Sequence, residues 1–555
     1  MALLDRLRQV FRGMTGDPAD VWDPWRQLLA ADEAAWRGAV AVARGGPRVL
    51  IAPGAGGFHL GVLVETSLAV ALTLRGADVG IFLCDSALSG CQMTEWGGVS
   101  PKGLREAPPQ PRCGQCEKRG RRIFEPLGLK THWLGKSVSL EQKARARDIA
   151  TAIPVSDVAH YRHEGLAVGE HAIAGALRYF ARGDFEGEPY AEELVRHYLY
   201  SALLTVFATG AVLEEGKYEV ACFNHGIYVP QGLVGEVCRR WGVRVVNWNP
   251  AYRKSSFIFS HGDSYHHTMI SEPPGEWEGM CWSEKFERDA MEYLQSRRLG
   301  KQDWIWFHNE PQEDAKKIAR EIGNDFSRPT IALLTNVLWD ARLHYRSNAF
   351  PSMLEWVLET IRYFQDRPDL DLVVRVHPAE LRGGIPSRQL LMPEILKVFP
   401  TLPRNVFMVG PESEVSTYSL SEHSNAVIIF NTKTGIEVSS LGVPVIVAGE
   451  AWIRGKGFSL DASSPDEYRR ILDTLPLRDR LSPDKLQRAR KYAYHFFFRR
   501  MIPIPFIEQP EKDGEFLVRC RSLSDLLPGR ARGLDVICAG ILEGLPFVYP
   551  AETIA

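Results

Sequence analysis

Charge of one sign is missing from this sequence: 66 lysines and arginines stand against 68 aspartates and glutamates. A chain so balanced sets up no global field to draw in nucleic acid or an anionic membrane, so any anion site must be local. Long apolar runs are missing too. No stretch approaches the roughly 20 residues that cross a bilayer, and the start Met1-Ala2-Leu3-Leu4-Asp5-Arg6 has no signal-peptide apolar core, so a cytoplasmic protein is expected. Cysteine is scarce, nine in 555 residues, and disulfides are not expected in that compartment. The first glycine-rich loop, Gly54-Ala55-Gly56-Gly57-Phe58-His59, departs from the dinucleotide pattern G-x-G-x-x-G, which speaks against a nicotinamide cofactor.

What is present suits a large soluble α/β protein. Hydrophobic residues make up 45% and charged residues 24%, and the length exceeds what one core serves, so two domains are expected. Short apolar runs at 48–52, 79–83, 220–223, 243–248, 329–334, 370–376, 427–430 and 443–448 read as parallel strands buried on both faces, alternating with amphipathic helices. The charged, helical stretch 282–328 is read as the interdomain connection. The expected division is residues 1–300, residues 301–480, and a tail 481–555 that packs back on the first domain.

The stretch 425–449 organises the rest. It reads as strand, loop, helix, strand, and the loop Asn431-Thr432-Lys433-Thr434-Gly435 would turn backbone N–H groups at a positive helix end towards a ligand, making an anion site. Glu437, in the first turn, is placed to accept from a ribose diol; the plainer reading is a βαβ unit with Thr434 as cap and Glu437 complementing the helix dipole.

Four cysteines lie close in sequence. Cys84, Cys91, Cys113 and Cys116 include one C-x2-C knuckle, a spacing that lets two thiolates meet one metal ion. A structural zinc site, with an iron–sulfur cluster as the alternative, would pin the Cys-rich insertion at about 84–120, which has few apolar residues of its own. Polar clusters follow other strands: His225 in H-G-x-x-x-P-Q-G, then His261, Asp263, His266 and His267 in F-S-H-G-D-x-Y-H-H, Asn336 in the loop 335–340, and Arg375 and His377 in V-R-x-H-P. Ligands in open α/β sheets bind at such strand ends. His266 and His267, adjacent and facing opposite ways on a strand, make a poor metal pair.

T-G-x-E-x-x-x-L-G-x-P-V, together with V-R-x-H-P and the two histidine segments, resembles the capsule polysaccharide biosynthesis proteins, which are GT-B glycosyltransferases, and is similar to the corresponding loop of UDP-N-acetylglucosamine 2-epimerases. The resemblance implies two Rossmann-like domains with parallel sheets facing a cleft, and transfer of a sugar from a nucleotide-sugar to a cell-surface polysaccharide or glycolipid. By that resemblance Glu437 holds ribose, Thr432, Thr434 and Gly435 lie at the phosphates, and Asn336, Arg375 and His377 complete the donor site. Arginine, lysine and a helix end would neutralise the leaving diphosphate without a divalent metal. His225, His261 and Asp263 are the candidates for the base, His261 first, since Gly262 and Asp263 flank it. The rival readings are a nucleotide-sugar epimerase or hydrolase, and a non-catalytic nucleotide-binding assembly protein.

Two segments bear on the membrane. Leu3, Leu4, Leu7, Val10 and Phe11 recur at helical spacing between arginines, and the tail carries Tyr492, Tyr494, Phe496, Phe497 and Phe498 beside Arg499 and Arg500. Packing on their own domains is the first reading for both, and peripheral contact with the inner face of the membrane is the second.

Overall fold

The computed structural model describes residues 24–94, 112–298, 303–304, 311–343, 347–510 and 515–553. The segment 1–23, which carries the leucine-rich start, and the middle of the cysteine insertion, 95–111, lie outside the described residues.

The apolar runs form two sheets. The first contains β1 (Arg48–Gly54), β2 (Asp78–Leu83), β3 (Lys130–Trp133), β4 (Val220–Asn224), β5 (Arg244–Pro250) and β6 (Ser256–His261). The second contains β7 (Thr330–Leu334), β8 (Asp371–Arg375), β9 (Val406–Val409), β10 (Ala426–Ile429), β11 (Val445–Val447) and β12 (Leu460–Asp461). Spatial order is β3-β2-β1-β4-β5-β6 in one and β9-β8-β7-β10-β11-β12 in the other. Both are the doubly wound order, which reverses direction between the first and fourth strands and opens a crevice there. The second sheet is parallel throughout. In the first, β6 runs antiparallel to β5, with Val246 opposite His261.

Each sheet is buried on both faces. The 26-residue helix Ala191–Gly216 covers one face of the first, while His59–Thr73 and Arg532–Glu543 cover the other. After the helix Pro483–Tyr494 the chain crosses back, and β13 (Ile502–Pro503) pairs with β6. Tyr492, Tyr494, Phe496 and Phe497 are at most 1% exposed, so these tail aromatics serve packing and offer no bilayer platform. Trp25 and Trp36 of the helical lead are likewise buried.

The glycine loop after β1 is not the open substrate loop its position suggests. The helix Cys113–Phe124 lies across it, and a Cβ on Gly56 would stand 2.4 Å from the Cys116 carbonyl oxygen and 2.6 Å from Gly120 Cα. Backbone meets backbone there, so only glycine fits. Gly56→Ala is therefore expected to cost about 1–3 kcal/mol through overpacking; an unchanged denaturation midpoint would contradict this contact.

Candidate functional site

A cavity of about 590 Å³ opens at the crevice of the second sheet. Its floor is the carboxyl ends of β7, β8 and β10 and the segments that follow them, contributing Asn336, Asp340, Arg375, His377, Thr432, Lys433 and Thr434. The amino-terminal side supplies Tyr252 and His266, and the connecting helix Glu284–Arg298 supplies Arg297 and Arg298. Four cationic side chains, Arg297, Arg298, Arg375 and Lys433, line it against two carboxylates, Asp303 and Asp340. The excess is positive, so the cavity suits an anionic ligand.

Glu437 lies beneath this floor, 1% exposed, and is fully engaged. Its carboxylate accepts from Lys433 Nζ at 2.8 Å and from the Tyr418 hydroxyl, and pairs with Arg297 at 3.3 Å. Burial alone would raise its carboxyl, but Arg297 and Lys433 outweigh that and hold it down at about 2. Glu437 is buried and is not among the residues that line the cavity, so the carboxylate that the family motif assigns to ribose does not face the ligand space here. What Glu437 does is hold two cations in place. Arg297 also pairs with Asp303, to which Tyr293 donates at 2.7 Å, and Lys433 Nζ stands 4.5 Å from the centre of the Tyr252 ring.

A folded carboxyl depressed from 4.5 to about 2 contributes stability that is complete above pH 4.5 and is lost as pH falls from there through 2. The contribution is on the order of 3 kcal/mol. Stability measured from pH 6 down to pH 3 should show this loss, and Glu437→Gln should remove that part of the slope. An acid limb unchanged in the variant would contradict the pairing.

The helix start is also less open than the sequence implies. Thr434–Ser440 has seven residues, the Thr434 N–H donates to Thr432 Oγ1 at 3.3 Å, and the Ile436 N–H donates to the Lys433 carbonyl at 2.9 Å. Positive charge at the floor comes from Lys433 and Arg297 rather than from bare amides. Gly435 does not line the cavity; Ile429 and Ile453 crowd it, with methyl carbons 2.7 and 2.8 Å from where a Cβ would stand.

Arg375 reaches the cavity wall, yet its guanidinium donates to the carbonyls of Gly410 and Ser413, the latter at 3.0 Å. It braces the turn after β9 instead of presenting a phosphate fork. Desolvation, with repulsion from Arg382, pushes it down to about 10. His377 is better placed. The Ala379 N–H donates to its Nδ1 at 3.0 Å, so the neutral ring carries its proton on Nε2 as a donor.

None of the three base candidates lines the cavity. His261 ends a strand that runs antiparallel, so its strand end is not a carboxyl edge of the parallel sheet; its ring stacks on Phe547 at 4.4 Å and its Nε2 meets the Leu545 carbonyl at 2.9 Å. It serves packing of the tail. Asp263 accepts from His267 Nδ1 at 3.1 Å, and His267 in turn stands 3.5 Å from Glu450 of the second domain. His225 adopts a left-handed backbone, φ +64°, and burial drives it down to about 4. It lies 5.1 Å, ring to ring, from Tyr228, whose hydroxyl donates to Asp340 Oδ1 at 2.8 Å across the cleft. His266 and His267 sit on the helix Tyr265–Ser271, not on a strand; His266 lines the cavity, pushed by burial to about 3 and hence neutral.

Sequence reasoning missed Arg297, Arg298, Tyr418 and Trp452, all lining the cavity. Arg297 and Arg298 belong to a helix read as a connector. An arginine flanked by aromatics in space, Tyr252, Tyr293 and Phe497, leaves no local signature. The four cysteines are all described and none forms a disulfide; among the described residues no three His, Cys, Asp or Glu side chains are arranged as a metal-ligand set, so the zinc or iron–sulfur centre expected at Cys84, Cys91, Cys113 and Cys116 finds no support. No helix among the described residues is long and apolar enough to cross a membrane.

Two doubly wound α/β domains that meet around a cavity define a GT-B-like protein. Residues 309–476 match the model of the capsule polysaccharide biosynthesis protein family. V-R-x-H-P and T-G-x-E lie inside the match; the two histidine segments of the first domain lie outside it. No curated protein matches the chain. Among solved structures, the chain is similar to a Thermosulfurimonas dismutans KpsC, beta Kdo 2,4 transferase, at 14% identity and a TM-score of 0.32, over 50% of this chain and 79% of that one. It is similar to UDP-GlcNAc 2-epimerase from Neisseria meningitidis at 10% identity and a TM-score of 0.24, over 80% and 95% of the two chains. Spinosyn rhamnosyltransferase SpnG shows 13% identity and a TM-score of 0.24 over the same shares.

Proposed function

We propose that the protein is a glycosyltransferase that moves a sugar from a nucleotide-sugar donor to a glycan or glycolipid acceptor of a cell-surface polysaccharide. The observation that carries this reading is the cationic cavity at the crevice of the second sheet, where a doubly wound fold binds its ligand. The donor phosphates lie against Lys433, Arg297 and the hydroxyls of Thr432 and Thr434, with His377 Nε2–H and Asn336 as further hydrogen-bond groups. Glu437 positions the two cations. Charge that develops on the leaving phosphate is then met by preorganised groups.

The acceptor enters from the first domain, beside Tyr228 and His266. Deprotonation of its hydroxyl falls to Asp340, a carboxylate on the cavity wall with one oxygen steadied by the Tyr228 hydroxyl. Tyr228 reaches Asp340 only with the domains together, so the base is set when the cleft is closed. A glycolipid acceptor would place the protein at the inner face of the membrane.

Incubation with a panel of nucleoside mono- and diphosphate sugars, read by mass spectrometry with and without oligosaccharide acceptors, tests the assignment. Sugar transfer that depends on acceptor supports it. Epimerised or hydrolysed donor formed equally well without acceptor would move the protein to the rival activity, and tight binding with no turnover would make it an assembly protein.

A further inference from the structure

Asp340 stands on the segment 335–343, which follows β7 and belongs to no helix or strand. A functional group carried on a loop keeps its direction only when neighbouring parts of the fold hold it. Tyr228 supplies one such hold: its hydroxyl donates to Asp340 Oδ1 at 2.8 Å and accepts from the Ala341 N–H at 3.0 Å. A second hold lies on the other side of the loop, built from both domains.

The first-domain helix Val168–Phe180 ends on Ala181, left-handed at φ +52°, and the segment 181–188 then meets Arg388 and Gln389 of the second domain. The Arg388 N–H donates to the Ala181 carbonyl at 3.0 Å, and the Gly183 N–H donates to Gln389 Oε1 at 2.8 Å. Gln389 Nε2 donates in turn to Asp184 Oδ2 at 2.6 Å. With an N–H facing its oxygen and a carboxylate facing its nitrogen, the Gln389 amide fits only one way round. Arg388 forks onto Glu188, Nη1 to Oε2 and Nη2 to Oε1, both at 2.9 Å, a bidentate pairing that fixes direction as well as distance. The Glu188 side chain and Gln389 are each 3% exposed, so water does not compete for these bonds.

Both halves of this clasp press on the residues just before Asp340. A Cβ on Gly183 would stand 3.1 Å from Leu338 Cβ, Ala181 packs with Val337 and Trp339, and the Trp339 indole N–H donates to Ser387 Oγ at 3.0 Å. We propose, on the reading of Asp340 as the base, that the clasp of 181–188 with 387–389 aims that carboxylate into the cavity, with Glu188 and Gln389 as positioning residues. Neither of the two lines the cavity, so they act through the loop and not on donor or acceptor. Tyr228 and the clasp grip the loop from two sides, and each grip needs the first domain against the second.

Two measurements on the full-length protein test this. In Gln389→Ala, hydrogen–deuterium exchange should quicken about tenfold or more in peptides covering 181–184 and 337–341 while the strands of both sheets keep their wild-type protection. In acceptor-dependent sugar transfer, the same variant should lose about ten- to a hundredfold in kcat, since a misplacement of about 1 Å suffices, with the donor dissociation constant within about twofold of wild type. Glu188→Gln, which keeps the side-chain shape and removes the charge that Arg388 grips, should move both readings the same way, and it carries the test should Gln389→Ala not fold. Wild-type exchange at 337–341 in the folded variants would overturn the clasp, and faster exchange with kcat unchanged would overturn the positioning of Asp340. A wild-type protein that transfers no sugar would remove the proposed function instead, and a double-mutant cycle then decides: Gln389→Ala and Tyr228→Phe should be non-additive in unfolding free energy if both hold one loop, and additive losses would overturn the inference.

Discussion

Replacing Arg297 by alanine is expected to destabilise the protein by about 3 to 5 kcal/mol, because it leaves buried carboxylates without their partner. Arg297, Asp303 and Glu437 have side chains no more than 5% exposed, so water cannot take over the arginine's role. Of the two carboxylates, Glu437 keeps Lys433 and Tyr418, whereas Asp303 keeps only the Tyr293 hydroxyl among its close hydrogen-bond partners. The loss should therefore be partly recovered by adding Asp303→Asn, which removes the stranded charge. Denaturant unfolding of the single and double variants reads this directly. Additive losses would mean that Arg297 and Asp303 do not form the pair described.

The second large effect is on turnover. Asp340→Ala should reduce sugar transfer about a hundredfold or more while nucleotide affinity stays nearly intact, since a base acts on the acceptor and not on the donor. His261→Ala should leave turnover within a few-fold, its ring being packed against Phe547 away from the cavity. A reversed ranking of these two variants would return the base to the end of β6. Tyr228→Phe, which removes the hydrogen bond to Asp340, should fall between them.

Much of the fold is legible in the sequence because parallel strands buried on both faces must be continuous apolar runs. The segment 425–449 yields β10, the helix Thr434–Ser440 and β11 close to where its residues place them. Strand direction is not legible in the same way. An apolar run such as 257–260 looks identical whether it lies parallel or antiparallel, and the antiparallel pairing of β6 with β5 takes His261 away from the carboxyl edge that a parallel strand would give it. Side-chain partnership is hidden for a related reason. Arg375 and Glu437 do follow strand ends as their motifs imply, but carbonyls from the turn at 410–413 capture the one and Arg297, from a helix some 140 residues earlier, captures the other.

Under the proposed function, the cavity floor at Lys433 binds the phosphates of a nucleotide-sugar. Titration calorimetry of the wild-type protein and of Lys433→Ala, each against the nucleotide-sugar that best stabilises the wild type, tests it most directly. The expected result is one site per chain in the wild type and an affinity about ten- to a hundredfold weaker in the variant, the loss of a charge-assisted contact of about 1.5 to 3 kcal/mol. Equal affinity in a variant that remains folded would contradict it.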